Sequence, residues 1–293
     1  MGTSMKMSAG ERVFSWVNAA LLACFGFLAV APFIHIVAQS FSGHDAIISG
    51  RVVFWPVDFQ TKAYEEVFND HAFTRAFFVS VLRAVVGTLL NVLMTVLLAY
   101  PLSKSYIRGR QVIMFLVVFT MLFSGGMIPT YLVVKAAGLL NTFWAMIIPG
   151  LIWSFNVIIM KNFFQSVPHE LEESGRIDGC SNTGILFRIA VPLSMPAIAT
   201  ITLFHAVGHW NSFFDAVLYI MDRNLFPLQI YLRELIQFNS SNIDTYDNWE
   251  RQLLATESLK AAALFTGTAP ILMVYPFLQK HFVKGIMLGS VKG

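Results

Sequence analysis

Charged residues are scarce in this sequence. Aspartate, glutamate, lysine and arginine make up 13% of the 293 residues, whereas a soluble domain carries about 25%. Apolar residues supply 56% of the chain, and 27 residues are phenylalanine. This composition is typical of a protein that crosses a membrane several times.

The sequence also has few cysteines and no nucleotide-binding motif. Cys24 and Cys180 are the only cysteines, and their spacing predicts neither a disulfide framework nor a zinc site. The pattern G-x-x-x-x-G-K-[ST], which cradles nucleotide phosphates, does not occur. Energy for any active process must therefore come from an ion gradient or from another subunit. The net charge of +3 gives no support for nucleic-acid binding.

Six apolar stretches are long enough to cross a bilayer, which requires about 20 residues per helix. They are 13–37, 77–100, 111–130, 142–160, 194–218 and 261–278. We therefore predict an all-α polytopic membrane protein with six transmembrane helices in a single domain, 1–293. The first stretch also has features of a signal peptide, namely Lys6 and Arg12 before it and Ala29-Val30-Ala31 within it. Its apolar run exceeds the usual length of about 7–15 residues, which favours an uncleaved helix.

Lysine and arginine indicate how the chain is oriented, because cytoplasmic loops carry an excess of both. If the N-terminus is inside, the inner segments hold 11 of them in 70 residues and the outer segments hold 8 in 92. The inner segments are 1–12, 101–110, 161–193 and 279–293. The sequence therefore predicts that both termini are cytoplasmic.

The longest polar interruption on the predicted inner side is the segment 166–196. Pro168 suits a first helical turn, and Asp178-Gly179 predicts a stop at which Gly179 takes a positive φ. A second helix then ends at Pro192, and its candidate caps are Ser181, Asn182 and Thr183. We predict two short cytoplasmic helices within 166–192. On these residues alone, a simple connecting loop remains an equal alternative.

Two predicted outer loops are long enough to carry structure. The loop 38–76 is expected to contain a short helix at 61–68. An interfacial role is favoured for it, with contact to an outside partner or ligand as the alternative. The loop 219–260 has helical spacing of apolar residues from Leu225 to Phe238, followed by a polar stretch that includes Asn242 and Asp244. This second loop is expected to meet a partner or ligand outside, with an interfacial helix as the alternative.

The fifth apolar stretch carries polar residues at three- and four-residue steps. The periodic residues are Thr202, His205, His209, Ser212 and Asp215, and Trp210 and Asn211 lie beside them. On one helix these form a stripe that suits a cavity for a hydroxyl-rich solute, and the alternative is hydrogen bonding between helices. The run HAVGH lacks the glutamate of a zinc-protease helix, so no metal is predicted. In the second stretch, Arg83 is expected to snorkel outwards and Asn91 to bond to a neighbouring helix.

The polar segment resembles the coupling motif of the permeases of bacterial ATP-binding-cassette (ABC) importers. That motif reads E-A-A, three residues, G, nine residues, I-x-L-P. Here it stands as Glu173-Ser174-Gly175, three residues, Gly179, nine residues and Ile189-Ala190-Val191-Pro192. The spacing is intact. Ser174 and Gly175 replace the two alanines with small residues, and Val191 replaces the leucine with another aliphatic residue.

The resemblance extends over essentially the whole chain. FSGGMIPTYLVVKAAGLLNTFWAMIIPG at 123–150, Trp210-Asn211 and FLQKHFVKGIMLGSVKG at 277–293 are similar to the carbohydrate-uptake branch, including the second permease of the maltose importer. Within that branch the chain is similar to permeases for polysaccharide fragments, such as those of alginate importers. The resemblance implies the type I ABC importer permease fold in a bacterial inner membrane.

The same resemblance implies partners. They are a second homologous permease, two ATPase subunits that bind ATP and Mg²⁺, and a solute-binding protein that delivers the sugar, with no cofactor on this chain. Coupling to the ATPases is expected from Leu171, Glu173, Ser174, Gly175, Asp178, Gly179, Phe187, Ile189 and Pro192. Ile185 is expected to pack into the ATPase groove with them. The C-terminal residues Gly289, Lys292 and Gly293 are expected to contact the ATPases, and 219–260 to contact the binding protein.

Two other classes of protein fit less well. An ion-coupled carrier requires buried acidic pairs and broken helices at mid-membrane, and Asp215 is the only acidic residue in a predicted span. An intramembrane hydrolase that uses Ser124 or the His205/His209 pair would lack a nucleophile-elbow pattern.

Overall fold

The computed structural model describes residues 9–241 and 257–290, and every regular element in these ranges is helical. This confirms the all-α class for the described part of the chain. The first six helices are α1 (Ala9–Ser40), α2 (His44–Ile48), α3 (Lys62–Asn69), α4 (His71–Ser103), α5 (Arg110–Leu122) and α6 (Met127–Ala136).

Two 3-10 turns, Phe143–Met146 and Ile148–Gly150, follow α6 and lead into the second half of the chain. The next helices are α7 (Ser154–Ser166), α8 (His169–Ile177), α9 (Asn182–Leu193), α10 (Met195–Asn211) and α11 (Phe214–Tyr219). A 3-10 turn at Arg223–Leu225 precedes α12 (Leu228–Ser241), and α13 covers Glu257–Ser290.

The chain divides into two compact units, and the smaller one comprises residues 1–70 and 235–267. Within it, a small core forms around Ala38, Ala46 and Val52. Most of α1 is apolar, and its residues 10–30 are exposed, including Phe14, Trp16 and Phe25. Water disfavours apolar surface of this extent, so α1 is built for contact with lipid or with another protein.

The larger unit comprises residues 71–234 and 268–293, and α4 lies at its centre. Helix α4 packs along both α10 and α7. The largest apolar core of this unit includes Ala99, Met160, Phe164, Ile185 and Ile201. This packing places the polar residues of α4 and α10 against each other, which creates the site described below.

Three of the predicted spans are not continuous helices. The stretch 111–130 breaks after Leu122, where Gly126 adopts a φ of 87°, and the stretch 142–160 begins as 3-10 turns around Pro149. The stretch 194–218 breaks at Ser212, whose backbone is extended. Glycine and proline explain the first two breaks. The third depends on a distant arginine, as shown below.

Length and hydropathy identify two single helices in the described residues that could cross a membrane, Gly10–Ser40 and His71–Ser103. Two bent pairs qualify if each pair counts as one span. These are Phe143–Gly150 with Ser154–Ser166, bent by 55°, and Asn182–Leu193 with Met195–Asn211, bent by 84°. The described residues therefore supply two to four candidate spans, whereas the sequence predicts six.

Candidate functional site

A cavity of about 420 Å³ lies between α4, α10, α11 and the turns around Pro149. Its wall carries both polar and aromatic side chains, namely Arg83, Trp153, His209, Ser212, Phe214, Asp215 and Tyr219. Aromatic faces beside hydrogen-bonding groups suit a ligand that has both apolar faces and hydroxyl groups.

Arg83 forms the back of this cavity and does not snorkel. The residue is only 1% exposed, and its guanidinium makes an ion pair with Asp215. It also donates hydrogen bonds to the backbone carbonyls of Ser212, at 3.0 Å, and Met146, at 3.3 Å. The expectation that Arg83 points outwards is wrong, because Asp215 and two carbonyls compensate its charge inside the bundle.

The same interaction explains why the fifth predicted span is broken. The carbonyl of Ser212 accepts from Arg83, and Asp215 Oδ1 accepts from Ser212 Oγ and from the Ala216 amide, both at 2.9 Å. These bonds satisfy groups that a continuous helix would otherwise bond internally. The Asp215 side chain remains 26% exposed, so the pair presents its carboxylate towards the cavity and keeps its cation behind.

His209 lines the cavity and is fixed by α4. Its Nε2 donates to Asn91 Oδ1 at 3.2 Å, and Asn91 Nδ2 donates to the Gly150 carbonyl at 2.9 Å. Gly87 leaves room for the ring, since a Cβ atom there would lie 2.5 Å from His209 Nε2. The prediction that Asn91 bonds to a neighbouring segment is confirmed.

The remaining residues of the predicted stripe lie elsewhere. His205 is buried and accepts a hydrogen bond from Asn156 Nδ2 at 3.0 Å, as the alternative of bonding between helices predicted. Trp210 is buried and packs edge-on against Phe77, with ring centroids 6.0 Å apart. Asn211 is exposed and does not line the cavity. The structure therefore brings together His209, Ser212 and Asp215. Sequence reasoning missed Trp153, which lies on another segment, and Phe214 and Tyr219, which follow the helix break at Ser212 and lie off the predicted stripe.

In the described ranges, no group of three His, Cys, Asp or Glu side chains could hold a metal ion.

The polar segment forms the two predicted short helices, α8 and α9. Gly179 adopts a φ of 79°, as predicted, and its amide donates to the Arg176 carbonyl at 3.0 Å. Of the three candidate caps, Ser181 is the one used, because its Oγ accepts from the Gly184 amide at 3.2 Å. The prediction that Pro192 ends the second helix is wrong. A π-helical turn at Leu186–Ala190 shifts the pattern of backbone hydrogen bonds. The helix then continues to Leu193, and the chain bends at Ser194.

The two helices have distinct buried and exposed faces. Leu171 and Phe187 are about half exposed, and Glu173, Ser174, Asp178 and Pro192 are exposed. Gly175 is buried and Ile189 half-buried, and these two pack against each other. Ile185 is fully buried in the core of its own chain, so the expectation that it docks into a partner is wrong. Ile177, at 86% exposed, is an apolar residue that sequence reasoning missed, although its position just before Asp178-Gly179 could have indicated it.

Sequence reasoning also missed an ion pair that ties α8 to the end of α4. Lys104 Nζ pairs with Glu172, and both residues are buried. From the sequence, Lys104 belongs to the inner segment 101–110, which it shares with Arg108 and Arg110. The one sequence feature that could have indicated burial of Glu172 is its position three residues before Gly175, on the same face of the helix.

The expected tail contacts lie at or beyond the last described residues. Gly289 is in the final turn of α13, and Lys292 and Gly293 lie outside the described ranges. The polar stretch that contains Asn242 and Asp244 also lies outside them.

The chain is similar in sequence to known transport proteins. A family model described as "Binding-protein-dependent transport system inner membrane component" matches residues 72–287. The protein LplC of Bacillus subtilis (strain 168) is 47% identical, over 99% of this chain and 98% of its own. The polygalacturonan/rhamnogalacturonan transport system permease protein YtcP of the same organism is 46% identical, over 97% and 99%.

A solved structure has the same fold. It is a chain of a bacterial ABC transporter involved in the import of the acidic polysaccharide alginate, which superimposes with a TM-score of 0.88 at 35% identity. The superposition covers 95% of this chain and all of the other. This agreement extends the family assignment from the sequence to the arrangement of the helices.

Proposed function

We propose, from the premise that this chain belongs to the family of binding-protein-dependent transport system inner membrane components, that it is the permease subunit of an ABC importer for oligosaccharides. The family match and the relatives both cover nearly the whole chain. Because the sequence contains no phosphate-binding loop, partner ATPases supply the energy and bind ATP and Mg²⁺.

The coupling segment is the observation that carries this proposal. Its motif spacing from Glu173 to Pro192 folds into two short helices that turn at Gly179 and expose Leu171, Ile177 and Phe187. Exposed apolar side chains on a short, well-packed pair of helices suit a preformed groove in a partner. ATP-driven closure of the ATPases would push or pull on α8 and α9 and so rock the spans between inward-facing and outward-facing states.

The transmembrane arrangement has six spans, with both termini and the coupling segment in the cytoplasm. The distribution of lysine and arginine supports this orientation. Broken helices at membrane depth are tolerated where they are buried in protein or line a cavity. The breaks around Pro149 and Ser212 meet that condition, because both segments line the cavity of about 420 Å³.

That cavity forms part of the sugar route. The Asp215 carboxylate faces the cavity and accepts hydrogen bonds from sugar hydroxyl groups, and His209 adds a further polar contact. Trp153 and Phe214 offer flat surfaces for the apolar faces of pyranose rings. Because Arg83 already neutralises Asp215, the cavity carries little net charge and suits passage rather than tight binding.

The substrate is a fragment of a polysaccharide, and alginate and pectic oligosaccharides are the first candidates. The names of YtcP and of the alginate transporter support this class. A solute-binding protein delivers the sugar to the outer loops, including 219–260. A second, homologous permease completes the transmembrane pathway.

Co-purification tests this proposal. Affinity-tagged chain extracted from native membranes should bring with it a second permease and an ATPase subunit. Reconstituted with its binding protein, the complex should take up radiolabelled oligosaccharides prepared from alginate or polygalacturonan only when ATP is supplied. A chain that purifies without an ATPase, with uptake unaffected by removal of ATP, would contradict the proposal.

A further inference from the structure

Glu172 is a buried carboxylate in the coupling helix α8. It is 1% exposed, although its neighbours Leu171 and Glu173 are exposed. One of its oxygens pairs with Lys104 Nζ, and Oε2 has no hydrogen-bond partner among the described residues. The electrostatic compensation of this buried charge therefore comes from Lys104.

Lys104 is also buried, at 7% exposed, and lies one residue beyond the end of α4. Its amide donates to the Pro101 carbonyl at 3.1 Å, and its ammonium lies 4.8 Å from the centre of the Tyr100 ring. The Tyr100 ring in turn packs edge-on against Phe164, with centroids 5.5 Å apart. Lys104 is thus held against the last turn of α4 by both its backbone and its side chain.

Helix α4 reaches from this ion pair to the cavity. The 21 residues from Arg83 to Ser103 span about 30 Å at the rise of an α-helix. In its middle part α4 carries Arg83 and Asn91, which hold Asp215 and His209 in place. One continuous helix therefore carries a buried charge contact to α8 at its C-terminal end and part of the cavity wall along its middle.

We infer that the Lys104–Glu172 ion pair is the link that transmits movement of the coupling helix α8 to α4 and, through α4, to the cavity wall. Lys104 and Glu172 are positioning residues, and the inference rests on the proposed coupling function. An ion pair in a water-excluded site resists separation more strongly than an exposed one. A shift of α8 driven by the ATPases is therefore passed to α4 instead of being absorbed at the contact.

The variants that test this link remove charge with little change in shape. Lys104→Met and Glu172→Gln each leave one buried charge without its partner. Lys104→Met together with Glu172→Met removes both charges, a change that proteins often tolerate. Arg108→Gln is the matched control, because it removes an exposed cation from the same loop.

The readout is the amount of sugar transported per ATP hydrolysed by the complete transporter in proteoliposomes. The substrate is a radiolabelled oligosaccharide mixture from alginate and polygalacturonan. Arg108→Gln should keep the wild-type ratio. Each single variant should continue to hydrolyse ATP when the loaded binding protein is present, and its ratio should fall about fivefold or more.

If the single variants fail to assemble, the double variant decides the matter. It should assemble normally and still transport less sugar per ATP than the wild type. A wild-type ratio in an assembled single or double variant would overturn the inference and leave the proposed function standing. An unmodified complex that shows no ATP-dependent uptake would instead remove the proposed function on which the inference rests.

Discussion

Gly175 of α8 packs so closely against Ile189 of α9 that a Cβ atom at position 175 would lie 2.7 Å from Ile189 Cδ1. Ile185 Cγ1 would lie 3.5 Å away from the same atom. Both isoleucines are anchored in or against the main core of the larger unit. Gly175 is thus the point at which the two short helices hold one another, and it faces inwards instead of towards the proposed ATPase.

Gly175→Leu is expected to abolish most sugar uptake. A leucine side chain cannot fit between α8 and Ile189, and overpacking of this kind costs about 1–3 kcal/mol or displaces the helix. Gly175→Ala should be mild, because the nearest atom is the flexible end of Ile189. ATP-dependent uptake in proteoliposomes measures both. Wild-type uptake by Gly175→Leu would show that the close packing does not matter.

Gly179→Val is expected to reduce transport by a different route. No atom lies within 4 Å of a Cβ atom at this position, so packing is unaffected. The cost arises from the φ of 79°, which a β-branched residue adopts only with strain of about 1–2 kcal/mol. Gly179→Asn should retain more transport, because asparagine tolerates this conformation. Binding of the loaded solute-binding protein should survive in both, and wild-type uptake by the valine variant would contradict a role for the turn.

The sequence was informative where structure depends on neighbouring residues. Gly179, Ser181 and the extent of α8 follow from turn and cap signals that act within a few residues. The motif spacing from Glu173 to Pro192 likewise carries the prediction of a coupling segment.

The sequence was uninformative where structure depends on distant residues. The break at Ser212 arises because Arg83 binds its carbonyl from 129 positions away. Lys104 and Glu172 are 68 positions apart, and the residues beside each of them in the sequence give no sign that either charge is buried. Hydropathy also averages over the breaks around Gly126 and Pro149, so it predicts continuous spans where the chain turns.

The Arg83–Asp215 pair should be revealed by a double-mutant cycle. Arg83→Met or Asp215→Asn alone leaves a partner without compensation, and each should destabilise the chain by about 3 kcal/mol. Combining Arg83→Met with Asp215→Asn should cost clearly less than the sum of the single changes, because no charge is then left unpaired. Thermal unfolding of the purified complex in detergent measures the four forms.

A matched control for this cycle is Arg233→Met. Arg233 is exposed and lies 5.1 Å from the Phe213 ring, so its loss should cost about 1 kcal/mol or less. Additive effects at positions 83 and 215 would contradict the pair, and so would an Arg233→Met cost as large as that of Arg83→Met.

Ile177 is expected to contribute to ATPase docking. Its side chain is 86% exposed at the end of α8, beside the Gly179 turn, where water contact gains nothing for an isoleucine. Buried in a partner groove, it would add about 1.5–3 kcal/mol of apolar stabilisation. Ile177→Asp should therefore release the ATPase subunit at a lower detergent or salt concentration than the wild type requires, as measured by co-purification.

Ile48→Asp is the control for this docking experiment. Ile48 is 67% exposed, and it lies in a loop that is predicted to face the opposite side of the membrane. Its replacement should leave the ATPase bound, because the proposed arrangement places the ATPases on the cytoplasmic side only. Equal loss of the ATPase from both variants would indicate a general effect on folding, and retention in both would remove Ile177 from the docking surface. Loss from Ile177→Asp alone would support both the docking role and the predicted orientation, since the two isoleucines differ mainly in the side on which they lie.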